Sequence, residues 1–413
     1  MDGMDDGAPV STDGDVLQGL AGETSGTVEA HRSCAARRAP GVASGARAGE
    51  RQDRASGGER PTMDCHRGEK SDCRDAGPRY AALDLGTNNC RLLIAEPRRH
   101  GYRVVDAFSR IIRLGEGVSV DRRLGEAAMR RAMDALTVCA RKLGHAGVHR
   151  SRLIATEACR SAENAQEFVG RVADETGLQL EIVDRETEAR LAVAGCSSLI
   201  DRGSEGVVLF DIGGGSSEIV WVDLSGRHRL DGVAVTRCIR AWTSLPVGVV
   251  SLAERHGGVE VDATTFEAMV ADVGAMLARL DRAGALDQVV SRGRVHLLGT
   301  SGTVTTLAGV HLGLERYDRR RVDGTWLNEC DVDAMIQRIL AMPFHERVAN
   351  PCIGADRADL VLAGCAILEA IRRRWPCRRL RVADRGLREG ILMELMAQDR
   401  IGGSSRFSGT RPS

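Results

Sequence analysis

An α/β fold of two domains facing each other across a cleft is what the chain predicts, and three observations predict it. A strand–Asp–x–Gly–small polar–strand pattern occurs twice, as YAALDLGTNNCRLLIAE at 80–96 and VVLFDIGGGSSEIVW at 207–221, which sets Asp84 and Asp211 127 positions apart. A third glycine-rich stretch, VHLLGTSGTVTTLA at 295–308, follows a third apolar strand. Between these, apolar runs of strand length alternate with stretches of helical period, the mark of a partly parallel sheet covered by helices.

The second hairpin carries the chemistry most openly. Gly213, Gly214 and Gly215 leave no side chain to hold a ligand off the backbone N–H groups, and glycine accepts the backbone angles that an anion-cradling nest requires. Asp211 and Glu218 flank that loop and would repel a bare phosphate. They make sense when a divalent cation lies between them and the anion. A plain β-hairpin with a glycine bulge is the alternative, but it needs fewer glycines and no flanking acids. In the first hairpin the corresponding loop is Gly86, Thr87, Asn88 and Asn89 after Asp84; in the third stretch it is Ser301, Gly302 and Thr303.

Composition removes several function classes. Lys plus Arg and Asp plus Glu both number 57 in 413 residues, so any basic surface has to be local. Aromatic residues make up 3%, poor material for stacking nucleic-acid bases, and no nucleic-acid partner is expected. The 12 cysteines form no CxxC pair, which argues against a disulfide framework or a zinc site and for small buried side chains in a reducing compartment. No apolar run reaches the roughly 18 residues of a membrane span, and the start has no leader-like apolar stretch, so a cytoplasmic protein without membrane contact is expected.

Residues 1–78, rich in Gly, Ala, Ser, Asp and Arg, are expected to be a disordered extension or an overlong start, with Met63 an alternative beginning. After the first hairpin, 102–114 reads as a third strand and 125–143 as a helix with Met129, Met133, Leu136 and Leu143 on one face. A strand at 152–156 delivers Glu157 and Arg160 at its end. Asn164 is placed as the N-cap of a helix to 176, followed by a short strand at 180–183 and a helix at 187–198 with Glu188 in its first turn. After the triple-glycine hairpin, helices are expected at 248–256 and 263–283, then the strand at 295–298 with its GTSGT loop. Helices at 331–341 and 357–375, a strand at 380–382, the segment DRGLREG (384–390) and a closing helix to about 396 complete the core, leaving 398–413 as a polar tail.

Seven segments together resemble the exopolyphosphatase / guanosine-pentaphosphate phosphatase family of the actin, sugar-kinase and heat-shock-chaperone superfamily. They are DLGTNNCRLLIA (84–95), ATEACRSAENAQEF (155–168), DRETEARLAVAG (184–195), DIGGGSSEIV (211–220), SLPVGVVSL (244–252), GTSGTVTTLA (299–308) and DRGLREGIL (384–392). The resemblance implies two actin-like (ribonuclease H-like) domains, here 79–192 and 193–397 with the last helix returning to the first domain. It also implies the short form, without the helical domains that longer members add. The first loop reads TNN where many relatives have SNS, so Asn89 stands in place of a hydroxyl.

The resemblance further implies an Mg²⁺-dependent phosphohydrolase that releases terminal phosphate from inorganic polyphosphate, guanosine pentaphosphate or both. Glu188 matches the family's general base; from its position alone it reads equally as a first-turn acid favoured by the helix dipole. Asp84, Asp211 and Glu218 would hold Mg²⁺ directly or through water, Glu218 being counted with Glu188 as catalytic, and Arg160 matches an arginine that contacts phosphate. Backbone groups of Gly86–Asn88 and Gly213–Ser217 would cradle phosphates, whereas Ser301–Thr303 could meet either a phosphate chain or a guanosine. Glu157 is a further acidic candidate. A basic track for a long chain is placed on Arg319–Arg321, Arg372–Arg374, Arg378, Arg379 and Arg381. A homodimer is expected. The rival readings are a non-catalytic polyphosphate or alarmone sensor and an ATP-binding actin-like protein.

Overall fold

Each of the two glycine hairpins belongs to its own sheet, and the two sheets share one strand order except for an antiparallel border strand added to the second. The computed structural model describes residues 77–99, 101–225, 232–279, 290 and 294–405, with side chains through Asp399. The expectations for 1–76, 280–283 and 406–413 therefore lie outside the described residues. In the first sheet β1 (Tyr80–Leu85), β2 (Asn89–Pro97), β3 (Tyr102–Ile111), β4 (Arg150–Ala155) and β5 (Glu181–Ile182) take the order β3-β2-β1-β4-β5. In the second, β6 (Gly206–Ile212), β7 (Ser217–Asp223), β8 (Ile239–Leu245), β9 (Val295–Thr300), β10 (Trp326–Asn328) and β11 (Arg379–Ala383) take the order β10-β11-β9-β6-β7-β8. Both begin with an antiparallel meander and continue with parallel strands, β1 with β4 and β5, β6 with β9 and β11. The α/β expectation with a repeated unit is met.

Burial explains which strands were legible. The central strands β1, β6 and β9 are covered on both faces and read as continuous apolar runs. Phe210 of β6 is fully buried, a burial that stabilises by about 2–3 kcal/mol. The strands β8 and β10 are absent from the sequence reading. β8 borders its sheet with Arg240, Ala241 and Trp242 exposed, and β10 is a three-residue border strand, so neither carries a clean alternation.

Helices follow the apolar periodicity with small shifts: Glu126–Ala146, Ala165–Thr176, Arg185–Cys196, Val249–His256, Ala263–Ala278, Glu329–Leu340 and Val361–Arg374. Asn164 does stand at the N-cap position, but its side chain makes no cap bond. Its amide instead clamps the backbone N–H and carbonyl of Leu124. The GTSGT stretch is a turn into a helix, Gly302–His311, rather than a loop. The closing helix runs on to Ser405, well beyond the expected end near 396.

Two helices pass between the sheets at backbone contact. A Cβ on Gly195 would lie 1.9 Å from the Gly386 carbonyl oxygen, and one on Gly390 would lie 2.0 Å from that of Leu191. Leu191, Leu387, Ile391, Leu392 and Leu395 then seal the far face of the first sheet against Tyr80, Ala82 and Ile154. The helix that carries Glu188 is thus fixed between the last helix and the second sheet, where Ala189, Ala192, Val193 and Cys196 pack on Val207, Leu209 and Val220.

Candidate active site

Between the two sheets lies a cavity of about 570 Å³. It gathers three glycine-bearing turns that are far apart in the chain: Gly86–Asn89 after β1, Gly213–Ser216 after β6 and Ser301–Thr303 after β9. The first two touch. A Cβ on Gly214 would meet Thr87 Cβ at 2.8 Å and the Asn88 nitrogen at 3.3 Å, so glycine is required for the approach of the two loops. Ser301 lies at φ 79°, ψ −171°, a conformation nearly confined to glycine, and its hydroxyl holds that turn by donating to the Ile212 carbonyl at 2.6 Å.

Strand register decides what stands opposite each aspartate. Asp84 pairs across its hairpin with Arg91, whereas Asp211 pairs with Glu218. The first hairpin thus offers a cation where the second offers an acid. Glu218 is 1% exposed, and its Oε1 accepts from Ser216 and Ser244, each at 2.8 Å. Burial, then the nearby Asp211, push Glu218 up to about 7 despite those hydroxyls. Burial, then Glu188 and Asp84, push Asp211 up to about 7 as well. Asp84 is also raised by burial, against the pull of Arg91 and Arg388. Carboxylates crowded in this way resist ionising together and call for a cation.

Glu188 opens on the same cavity with its side chain 12% exposed. Its N-terminal turn is set by Asp184, whose carboxylate accepts from the Thr187 N–H at 2.7 Å. Burial, then Glu218, raise Glu188 to about 8, against the lowering effect of Arg160. Arg160 Nη2 comes within 2.8 Å of Glu188 Oε2, yet that oxygen has no aligned hydrogen bond. The contact is an ion pair whose directional capacity is unused.

Arg160 corrects the sequence expectation. It does not line the cavity, because its guanidinium is engaged by Glu157 at 2.9 Å, Glu188, and the Val183 carbonyl at 2.8 Å. As placed, its guanidinium holds Glu188 and Glu157. Glu157 does line the cavity and binds Arg160, Arg185 and Ser161; burial works against its charge, but Ser161, Arg185 and Arg160 together hold it below the ordinary range. Ser217, expected to offer its backbone to a phosphate, is not among the residues that line the cavity. Strand alternation turns it away from the cavity, and its hydroxyl donates to the Val247 carbonyl at 2.7 Å.

The remaining wall supplies residues that sequence reasoning left unassigned: Arg91, Arg388, Glu389, Asp384, Tyr317 and Arg357. Burial works against the Arg388 charge, and Glu389 and Asp84 offset it. Burial likewise opposes the Glu389 charge, but Arg388, Arg319 and the Gly386 N–H outweigh it and hold the group low. The available signal was the register of β1 against β2, which sets Arg91 beside Asp84, and the charge pair in DRGLREG directly after a buried strand. The proposed basic track is largely broken up. Arg319 lines the cavity, but Arg372 and Arg373 are paired with Asp333, Glu369 and Glu267. Arg379 pairs with Asp201, and the guanidinium carbons of Arg379 and Arg381 lie 4.6 and 4.7 Å from the ring centre of Trp326.

Among the described residues, no three acidic, histidine or cysteine side chains converge closely enough to hold a metal by themselves. The donor set nevertheless fits Mg²⁺, which keeps several waters and takes one or two carboxylates together with phosphate oxygens. Asp84, Asp211 and Glu218 are hard oxygen donors that gain from a cation. Among the described residues, no helix is long and apolar enough to cross a membrane.

Comparison with known proteins agrees with this arrangement. Exopolyphosphatase 2 of Mycobacterium tuberculosis is 29% identical over 330 residues, covering 77% of this chain and 98% of that protein. Guanosine-5'-triphosphate,3'-diphosphate pyrophosphatase of Photobacterium profundum is 26% identical over 336 residues, and there the match spans only 60% of the relative. The crystal structure of the Aquifex aeolicus Ppx/GppA family member superposes with a TM-score of 0.63 at 27% identity, covering 78% of this chain and 98% of that one. An exopolyphosphatase from Cytophaga hutchinsonii, at 23% identity and TM-score 0.67 over 78% of this chain and 98% of that one, bears on the fold alone. The likeness to these structures supports the two-sheet α/β fold described above. The Ppx/GppA phosphatase family model matches residues 93–399, from β2 into the last helix, and the chain belongs to that family.

Proposed function

We propose that this protein is a phosphohydrolase that removes the terminal phosphate from inorganic polyphosphate or guanosine pentaphosphate. The observation that carries the reading is the position of Glu188, largely enclosed and opening on the cavity into which both glycine loops project. Glu188 orients a water for in-line attack and receives its proton as the new P–O bond forms and the anhydride P–O bond breaks. The N–H groups of Thr87 and Asn88 and of Gly214–Ser216 donate to the oxygens of the transferring phosphoryl group, while those of Gly86 and Gly213 hold the turns by donating to the Asn89 and Ser216 carbonyls. Arg91 and Arg388 line the same cavity and would neutralise charge on the departing chain end. Asp84, Asp211 and Glu218 would hold Mg²⁺, which supplies charge neutralisation at the phosphate oxygens.

The test is phosphate release by the full chain with Mg²⁺, with long-chain polyphosphate and guanosine pentaphosphate side by side and Glu188→Gln as control. Turnover that falls about 10²–10⁴-fold in the variant supports the base assignment and names the substrate. Tight binding of either substrate without turnover by the wild type would sink the hydrolase reading in favour of a sensor.

A further inference from the structure

Arg113 and Asp359 come from opposite lobes, and they meet. Arg113 follows β3 among the core residues of the first lobe, next to Ile112 and Leu114; Asp359 follows Ala358, which belongs to the core of the second. Their contact is bidentate, Nη1 to Oδ2 at 2.9 Å and Nη2 to Oδ1 at 3.1 Å, with a further bond from Nη2 to the Asp356 carbonyl at 3.2 Å. A second bridge lies nearby in sequence on both sides. Glu254 accepts from the Gly117 N–H at 3.1 Å and the Ser119 hydroxyl at 2.6 Å.

Each partner is wired to one phosphate loop. The N–H groups of Ile112 and Arg113 donate to the Asn88 carbonyl, and that of Gly115 donates to the Thr87 carbonyl. Arg113 itself sits at φ 46°, a left-handed conformation that a non-glycine residue keeps only when its surroundings demand it. On the other side, Glu254 is in the last turn of Val249–His256, the helix whose first N–H groups donate from Val249 to Gly213 and from Val250 to Gly214. Asp359 stands between Arg357 and Leu360, both of which line the cavity. Buried Arg347 fixes its platform by donating to the Gly258, Val259 and Ala358 carbonyls.

We propose that Arg113–Asp359, reinforced by Glu254 on Gly117 and Ser119, is a latch that closes the lobes over a bound phosphate chain. Arg113 and Glu254 are accordingly positioning residues: closing the latch brings the Thr87–Asn88 and Gly213–Gly214 backbones to the spacing at which both serve one phosphoryl group. A partly exposed bidentate pair is worth up to about fivefold in an equilibrium constant, enough to shift an open–closed balance without locking it. The inference rests on the phosphohydrolase reading for its kinetic arm alone.

The experiment compares wild type, Arg113→Asp, Asp359→Arg and the exchanged pair R113D/D359R in the full chain. It reads kcat and KM on long-chain polyphosphate and, independently, the interlobe distance distribution between spin labels placed on the two sheets. Each single variant should raise KM about fivefold and broaden the distances toward open forms, and the exchange should restore both to within about twofold. A merely structural role would leave the exchanged pair no better than the singles, and that result overturns the latch. So would single variants with wild-type distances and KM. If the distances respond as expected while even the wild type releases no phosphate, the latch stands and the hydrolase reading falls.

Discussion

Arg160 Nη2 stands 2.8 Å from Glu188 Oε2, so the candidate base is held by an ion pair to a residue that does not itself line the cavity. This arrangement opposes the effects of burial and of Glu218 on Glu188.

Removing that cation has a definite sign. Arg160 lowers the Glu188 pKa, so Arg160→Ala should move the acidic limb of the kcat profile to higher pH and cut phosphate release at pH 7 by about tenfold or more. Arg160→Lys, which keeps the charge, should shift the limb less. A limb that does not move in Arg160→Ala would show that Arg160 serves the fold only.

Divalent cation should stabilise the protein most where the carboxylates are ionised. Glu218 and Asp211 are both raised to about 7, so binding Mg²⁺ expels protons from them. Differential scanning fluorimetry with and without Mg²⁺ should give a larger rise in Tm at pH 8 than at pH 6. Asp211→Asn should reduce that rise. Equal rises at both pH values would count against these residues as ligands.

Gly248 is the backstop of the triple-glycine loop. A Cβ there would lie 2.4 Å from the Gly214 carbonyl and 2.6 Å from the Gly213 oxygen, both backbone atoms that cannot swing aside. Gly248→Ala should displace the loop, costing about 1–3 kcal/mol in urea unfolding and at least tenfold in kcat/KM. An alanine variant with wild-type kinetics would show that the loop has room.

His296 provides a pH dependence of stability outside the site. It is 1% exposed, its Nδ1 meets the Ser204 hydroxyl at 3.0 Å, and burial depresses it to about 4. The folded value lies below the unfolded one of about 6.5, so the unfolded chain takes up a proton first as pH falls. Stability is therefore complete above about pH 6.5 and is lost as pH falls toward 4, by about 2 kcal/mol between pH 7.5 and 5. Urea unfolding at those two pH values should show wild type losing that much more than His296→Gln. Parallel losses in the two proteins would rule His296 out as the cause.

The lobes, the two hairpins and the loops were legible because their signals are local. Asp84, Gly86 and Thr87, or Asp211 and the three glycines, declare a strand, a turn and an anion cradle within a few residues. Border strands such as β8 were not legible, because an exposed face erases the alternation. The extent of the last helix was obscured by Gly402 and Gly403, which weaken a helical pattern without ending it here.

What the sequence determined by itself was the kind of chemistry: a duplicated α/β unit, glycine turns for phosphate and an acid set that includes Glu188, Asp211 and Glu218. The tertiary structure alone decided which charges meet. It set Arg91 across from Asp84, paired Arg160 with Glu188, turned the Ser217 side chain into the core, brought Arg388 to the cavity and joined Arg113 to Asp359 across 246 positions of chain. The reason is physical. Backbone conformation follows from neighbours in sequence, whereas the pairing and protonation of a buried charge depend on burial and on partners that only long-range packing supplies.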